Sequence, residues 1–153
     1  MNYFTLFLAC LTLSATAADK PYNETADAKR DIQQALTQAA TNKTPVILVF
    51  GANWCGDCKM LDTAMKTGDS AALFAHDFQI VKINVGHFDA NLDVIKTYDV
   101  PLAKGIPAVA IVSAENKVLY VTREGELANA RKMGDTSIYE FFKKMIAATK
   151  APK

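Results

Sequence analysis

Apolar and polar positions along the chain fall into short blocks whose period changes several times. Ile32, Ala35, Leu36 and Ala39 recur at spacings of three and four, so residues 25–40 read as an amphipathic helix. Asn42-Lys43-Thr44-Pro45 ends it. The next five residues, Val46-Ile47-Leu48-Val49-Phe50, are apolar without interruption and rich in β-branched side chains. Such a run predicts a strand buried on both faces. Gly51-Ala52-Asn53 breaks it, and helical character returns from Cys55 to Lys66, with Met60, Leu61, Ala64 and Met65 as its apolar positions. After a stop at Thr67-Gly68, Asp69-Ser70 can cap a short helix over 71–76.

The second half repeats the alternation. Residues 79–85 form the next strand, and Asp89 or Asn91 can open a helix through Leu92, Ile95 and Tyr98. Residues 101–105 are a loop, 108–112 a strand, 114–117 a turn, and 118–121 return as an antiparallel hairpin partner. Asp135-Thr136-Ser137 caps a last helix, with Ile138, Phe141, Phe142, Met145 and Ile146 on one face. The order α-β-α-α-β-α-β-β-α defines an α/β chain in which the early strands can pair in parallel. A mixed central β-sheet sandwiched by helices follows.

The start of the chain follows another rule. Residues 1–18 carry no charged side chain, and the apolar run from Tyr3 to Leu13 ends in Ser14-Ala15-Thr16-Ala17-Ala18. The run is shorter than the about 20 residues a spanning helix needs. Ala15-x-Ala17 fits signal-peptidase cleavage, although no Lys or Arg precedes the apolar run. Residues 1–17 are therefore expected to be a cleaved signal peptide and 18–153 a single domain. The mature protein would be periplasmic or secreted, with no stable membrane insertion. An uncleaved anchor, or a lipid on Cys10 in Leu8-Ala9-Cys10, is the alternative.

Composition narrows the function. Of 153 residues, 50% are hydrophobic and 22% charged, an ordinary globular balance. The net charge is +1 with both signs interleaved, so no nucleic-acid partner is expected. Cleavage would remove Cys10 and leave Cys55 and Cys58, which are too close to staple distant parts of a fold. In an exported chain such a pair points to redox chemistry. A helix start offers free N–H groups and partial positive charge, which favour a thiolate. Cys55 should therefore attack and Cys58 resolve. Trp54 is either a core residue or a shield and substrate surface beside the pair. A zinc site would need about four ligands. His76 and His87 lie at no zinc-finger spacing from the cysteines, and Lys59 occupies the place of a haem-site histidine. No metal or other cofactor is expected.

Trp54-Cys55-Gly56-Asp57-Cys58-Lys59 after the apolar strand, with Gly105-Ile106-Pro107-Ala108 before a later one, resembles the thioredoxin superfamily over residues 25–147. Ala52-Asn53-Trp54-Cys55, Cys58-Lys59 and Lys82-Ile83-Asn84-Val85 are similar to exported branches. These are bacterial disulfide isomerase-like proteins and the C-terminal periplasmic domain of thiol:disulfide interchange proteins. The resemblance implies a thioredoxin fold and a reductase or isomerase of protein disulfides, with Cys55 and Cys58 catalytic. Trp54, Ile106 and Pro107 would bind substrate, and Gly56, Asp57 and Lys59 would support the pair. It further implies a cis Pro107, with the Ile106 backbone beside the sulfurs. Protein thiols or disulfides and a redox partner protein would be its partners, and the chain is expected to be a monomer. The alternative is a non-catalytic peptide-binding or chaperone module using the groove around Ile106-Pro107. Three departures stand out. Val49 occupies the place of a buried aspartate, and Asp57 that of a proline. The stretch 123–134 is longer than a minimal link, and is either a loop beside the site or a polar excursion. A carboxylate at Asp57 should oppose a neighbouring thiolate and make the couple more reducing, while the helix N-terminus acts the other way.

Overall fold

The computed structural model describes residues 20–150. The expected signal segment, with Cys10, lies outside them. Helix α1 spans Ala28–Asn42, and Asp27 caps it by accepting the Arg30 N–H at 3.1 Å. That cap sets the start three residues later than the apolar spacing alone implied. Ile32, Ala35, Leu36 and Ala39 are buried, as their spacing requires. Lys43 closes the helix in the left-handed region and donates its N–H to the Ala39 carbonyl.

Strand β1, Val46–Gly51, is buried throughout. Helix α2 covers Gly56–Lys66 and α3 Gly68–Asp77, with Thr67 alone between them. Asp69-Ser70 therefore lies inside the first turn of α3, and Ser70 is buried there. β2 is Gln79–Asn84 and α4 is Leu92–Thr97. Asn91 precedes α4, but its amide donates to the Asn84 carbonyl at 2.8 Å instead of capping the helix. A single 3-10 turn over Leu102–Lys104 leads to β3, Ala108–Val112, and then β4, Val118–Val121. Helix α5 runs over Ala130–Lys150, with a break at Gly134 (φ 72°, ψ 162°). The expected start at Asp135 is thus the resumption after this break; one further turn precedes it.

The described residues hold one four-stranded sheet in the order β2-β1-β3-β4. β1 is parallel to β2 and antiparallel to β3, and β3 is antiparallel to β4. Alternate side chains of β1 point to opposite faces. Val46, Leu48 and Phe50 join a core with Ile32, Leu36, Val81 and Ile83. Ile47 and Val49 join another with Leu61, Phe74, Ile138 and Phe142. This is the mixed sheet between helical layers that the alternation of elements implied. The C-terminal end of β1, the start of α2 and the approach to β3 meet where Cys55 and Cys58 lie.

Candidate functional site

Cys55 is the N-cap of α2, with extended backbone (φ −81°, ψ 113°). Its Sγ accepts the backbone N–H of Cys58 at 3.1 Å, using one of the donors that every helix start leaves unpaired. The first turn then closes through Lys59 N–H to the Cys55 carbonyl at 3.2 Å. Cys55 and Cys58 form a disulfide. Cys55 is 6% exposed and Cys58 0%. The carbonyl oxygen of Ile106 lies 3.6 Å from Cys55 Sγ, and the Ile106–Pro107 bond is cis. The two segments that carry the resemblance, with Cys55 and Ile106 51 residues apart, therefore meet at the sulfur as expected.

Trp54 is not a core residue. It is 51% exposed and tied down by its edge, with Nε1–H donating to the Gly86 carbonyl at 2.8 Å. Its ring stacks on His87 at 5.5 Å and meets Phe88 edge-on at 5.9 Å. Phe88 is exposed and holds a left-handed φ of 68°, uncommon for a bulky side chain. An aromatic shelf thus stands next to the disulfide. Among the described residues no group of three or more His, Cys, Asp or Glu could hold a metal ion.

Asp57 is paired. Its Oδ1 accepts the backbone N–H of Arg131 at 2.9 Å and its Oδ2 accepts Arg131 Nη2 at 3.1 Å. Partial burial works to raise the carboxyl pKa, but the Arg131 hydrogen bonds and charge, with Lys132 behind them, hold it below its ordinary value. The same guanidinium covers Gly56, where an added Cβ would stand 3.2 Å from it, a close approach that favours glycine. The carboxylate expected to oppose a neighbouring thiolate thus has a cationic partner, which the sequence reading did not foresee. The stretch 123–134 is the loop beside the site, and Leu127 and Ala130 anchor it fully buried.

One partnership behind the site escaped the sequence reading. Tyr22 and Asn53 exchange hydrogen bonds: Tyr22 N–H to Asn53 Oδ1 at 3.0 Å and Asn53 Nδ2 to the Tyr22 carbonyl at 2.8 Å. The buried Tyr22 ring packs on Gly51, and an added Cβ there would also stand 3.0 Å from Cys58 Sγ. Burial pushes the Tyr22 phenol well above its ordinary pKa. Val49 is apolar in its surroundings, as its position in β1 requires. The buried carboxylate nearby comes from α2: Asp62, 3% exposed, pairs with Lys66 at 2.7 Å and with Lys82, which sits opposite Val49 in the sheet.

A mixed sheet flanked by helices, with a C-x-x-C disulfide capping a helix beside a cis Ile-Pro, defines a thioredoxin fold. The chain belongs to the thioredoxin-like family, whose model matches residues 27–114. It is similar to the disulphide isomerase from Xylella fastidiosa Temecula1: 48% identity and a TM-score of 0.82, over 84% of this chain and 98% of that one. The oxidised C-terminal domain of DsbD from Neisseria meningitidis shares the fold, with a TM-score of 0.53 at 20% identity over 78% and 96% of the two chains. A thioredoxin of Buchnera aphidicola is 29% identical over 98 residues, 64% of this chain and 81% of its own. No helix among the described residues is long and apolar enough to cross a membrane.

Proposed function

We propose that the protein is an exported thiol–disulfide oxidoreductase that reduces or isomerises protein disulfides through Cys55 and Cys58. The observation that carries this reading is the disulfide at the N-cap of α2, with a backbone N–H aimed at Cys55 Sγ. In the reduced protein that N–H and the helix start favour a Cys55 thiolate. The thiolate attacks one sulfur of a substrate disulfide, the Cys55–substrate bond forms, and the other substrate sulfur leaves as a thiol after taking a proton. Cys58, deprotonated, then attacks Cys55 Sγ. The first substrate sulfur leaves as the second thiol, and the Cys55–Cys58 disulfide carries the two electrons' worth of oxidation. In isomerisation a substrate thiol displaces Cys55 instead, and the protein returns reduced.

Trp54 offers an exposed aromatic surface to substrate, and Ile106 presents backbone beside the sulfur ahead of Pro107. Gly56, Asp57 and Lys59 shape the first turn. A redox partner protein restores the starting state. The similarity to a disulphide isomerase supports the isomerase side of the reading. The apolar, uncharged stretch ending Ala15-x-Ala17 supports export, with a mature protein beginning at Ala18 or Asp19. Intact mass of the protein from its native host tests that point; retention of Met1 or a lipid on Cys10 would contradict it.

Insulin reduction and reactivation of scrambled ribonuclease, for the wild type and Cys55→Ser, test the chemistry. Both activities should vanish with Cys55→Ser. The exposed Trp54–Phe88 shelf favours a second reading, a peptide-binding module. Substrate protection that survives Cys55→Ser, without any turnover by the wild type, would select it.

A further inference from the structure

We infer that Arg131 is a positioning residue that sets the redox poise of the Cys55–Cys58 couple by neutralising Asp57 and laying its guanidinium over Gly56. This rests on the thiol–disulfide reading of the site and adds a residue from outside the C-x-x-C motif to it.

Three observations converge. Both oxygens of Asp57 are engaged by Arg131, one by its backbone N–H and one by its side chain. The guanidinium packs against Gly56, the residue that follows Cys55 directly. The segment that delivers Arg131 is held against the approach to Ile106-Pro107. Glu124 pairs with Lys104 at 2.8 Å, Ala128 packs against Gly105 just before Ile106-Pro107, and Leu127 and Ala130 are buried beneath. The break at Gly134 separates this turn from the rest of α5.

As a stability device the ion pair is weak, since the Arg131 side chain is 66% exposed. Its place over Gly56, the neighbour of Cys55 in the chain, gives it another effect. The thiolate of reduced Cys55 is favoured by the helix N-terminus and opposed by the Asp57 charge in the same turn. Arg131 offsets that opposition. Lys59 in the same turn and Lys132 in the same segment add positive charge that the test variants leave in place. Loss of the Arg131 charge should leave Asp57 uncompensated, raise the Cys55 pKa and favour the disulfide. Loss of the Asp57 charge should act in the opposite sense.

The test is equilibration with glutathione at pH 7, in which two glutathione thiols reduce the Cys55–Cys58 disulfide to a dithiol and yield one glutathione disulfide. The Cys55 pKa comes from the pH dependence of iodoacetamide alkylation, and melting temperature is followed in parallel. Arg131→Gln should shift the equilibrium toward the protein disulfide by at least about threefold, a tenfold shift corresponding to about 30 mV. Arg131→Lys should stay within about twofold of wild type. Asp57→Asn, which keeps an acceptor for the Arg131 N–H, should shift it the other way, and the double variant should return toward wild type. An unmoved equilibrium and Cys55 pKa in Arg131→Gln would overturn the inference, whether or not the melting temperature falls. So would shifts of the same sign in Arg131→Gln and Asp57→Asn. If Arg131→Gln does not fold, the Asp57→Asn and Arg131→Lys pair decides alone, by the signs given. A wild type without turnover whose equilibrium responds to Arg131→Gln would sink the functional reading and leave this inference standing; an active wild type with no such response would do the reverse.

Discussion

Cys55 and Cys58 differ in place: Cys55 caps the helix and Cys58 lies within it. Cys55 receives the Cys58 N–H, while Cys58 sits in the core with Tyr22 and Gly51 close behind it. In the reduced protein iodoacetamide should label Cys55 first, and Cys58→Ser should trap substrate mixed disulfides that non-reducing gels reveal. Faster labelling of Cys58 would reverse the two roles. The wall behind Cys58 is equally specific. A methyl group at Gly51 would overlap the buried Tyr22 ring, so Gly51→Ala should destabilise by about 1–3 kcal/mol, read from denaturant midpoints. An unchanged midpoint would mean that the Tyr22 ring can leave its place freely.

Elements differ in how far the sequence discloses them. The strand at 46–50 is legible because burial on both faces demands an unbroken apolar run. The start of α5 is not, because its first turn is fixed by Leu127, Ala130 and the Asp57 bond rather than by any periodicity. Arg131 lies 74 residues from Asp57 and Tyr22 lies 31 from Asn53, so neither partnership leaves a local signal. Cys55 and Cys58 are legible because C-x-x-C at a helix start carries chemistry of its own, whereas Ile106-Pro107 is legible only through the family resemblance. If the segment before Gly134 is held as described, Leu127→Ala should cost about 2–5 kcal/mol and also shift the glutathione equilibrium, since Arg131 loses its footing. A stability loss without that shift would separate the anchor from the site. The latch has an acid limit as well. The folded pKa of Asp57 is lowered, so its contribution is complete above the ordinary carboxylate value of about 4 and is lost as pH falls through the folded value. The stability difference between wild type and Asp57→Asn, small for so exposed a partner, should shrink when measured at about pH 2.5 rather than 7. A difference that grows in acid would contradict the pairing.

At the scale of the whole molecule the sheet divides the interior in two. Cys55 and Cys58 belong to the core that α1 covers, whereas the anchors of the Arg131 segment belong to the core shared with α3 and α5. Phe142 is the large hub of the latter, fully buried and edge-on to Phe74 at 4.7 Å and Phe141 at 5.1 Å. Phe142→Ala should destabilise by about 3–5 kcal/mol in equilibrium unfolding. A loss under about 1 kcal/mol would show that the neighbouring rings close the cavity.

The entire chain contains one tryptophan, and it directly precedes the disulfide. Trp54 is half in water, pinned by its indole N–H to Gly86 and stacked on an imidazole. Every photon of tryptophan emission from this protein therefore originates at the redox site. A disulfide is an effective quencher at short range. Opening of the Cys55–Cys58 bond and docking of a polypeptide on the shelf would each alter brightness or colour without any attached dye. The fold thus carries its own optical gauge, able to follow electron exchange in stopped-flow time on the unmodified molecule.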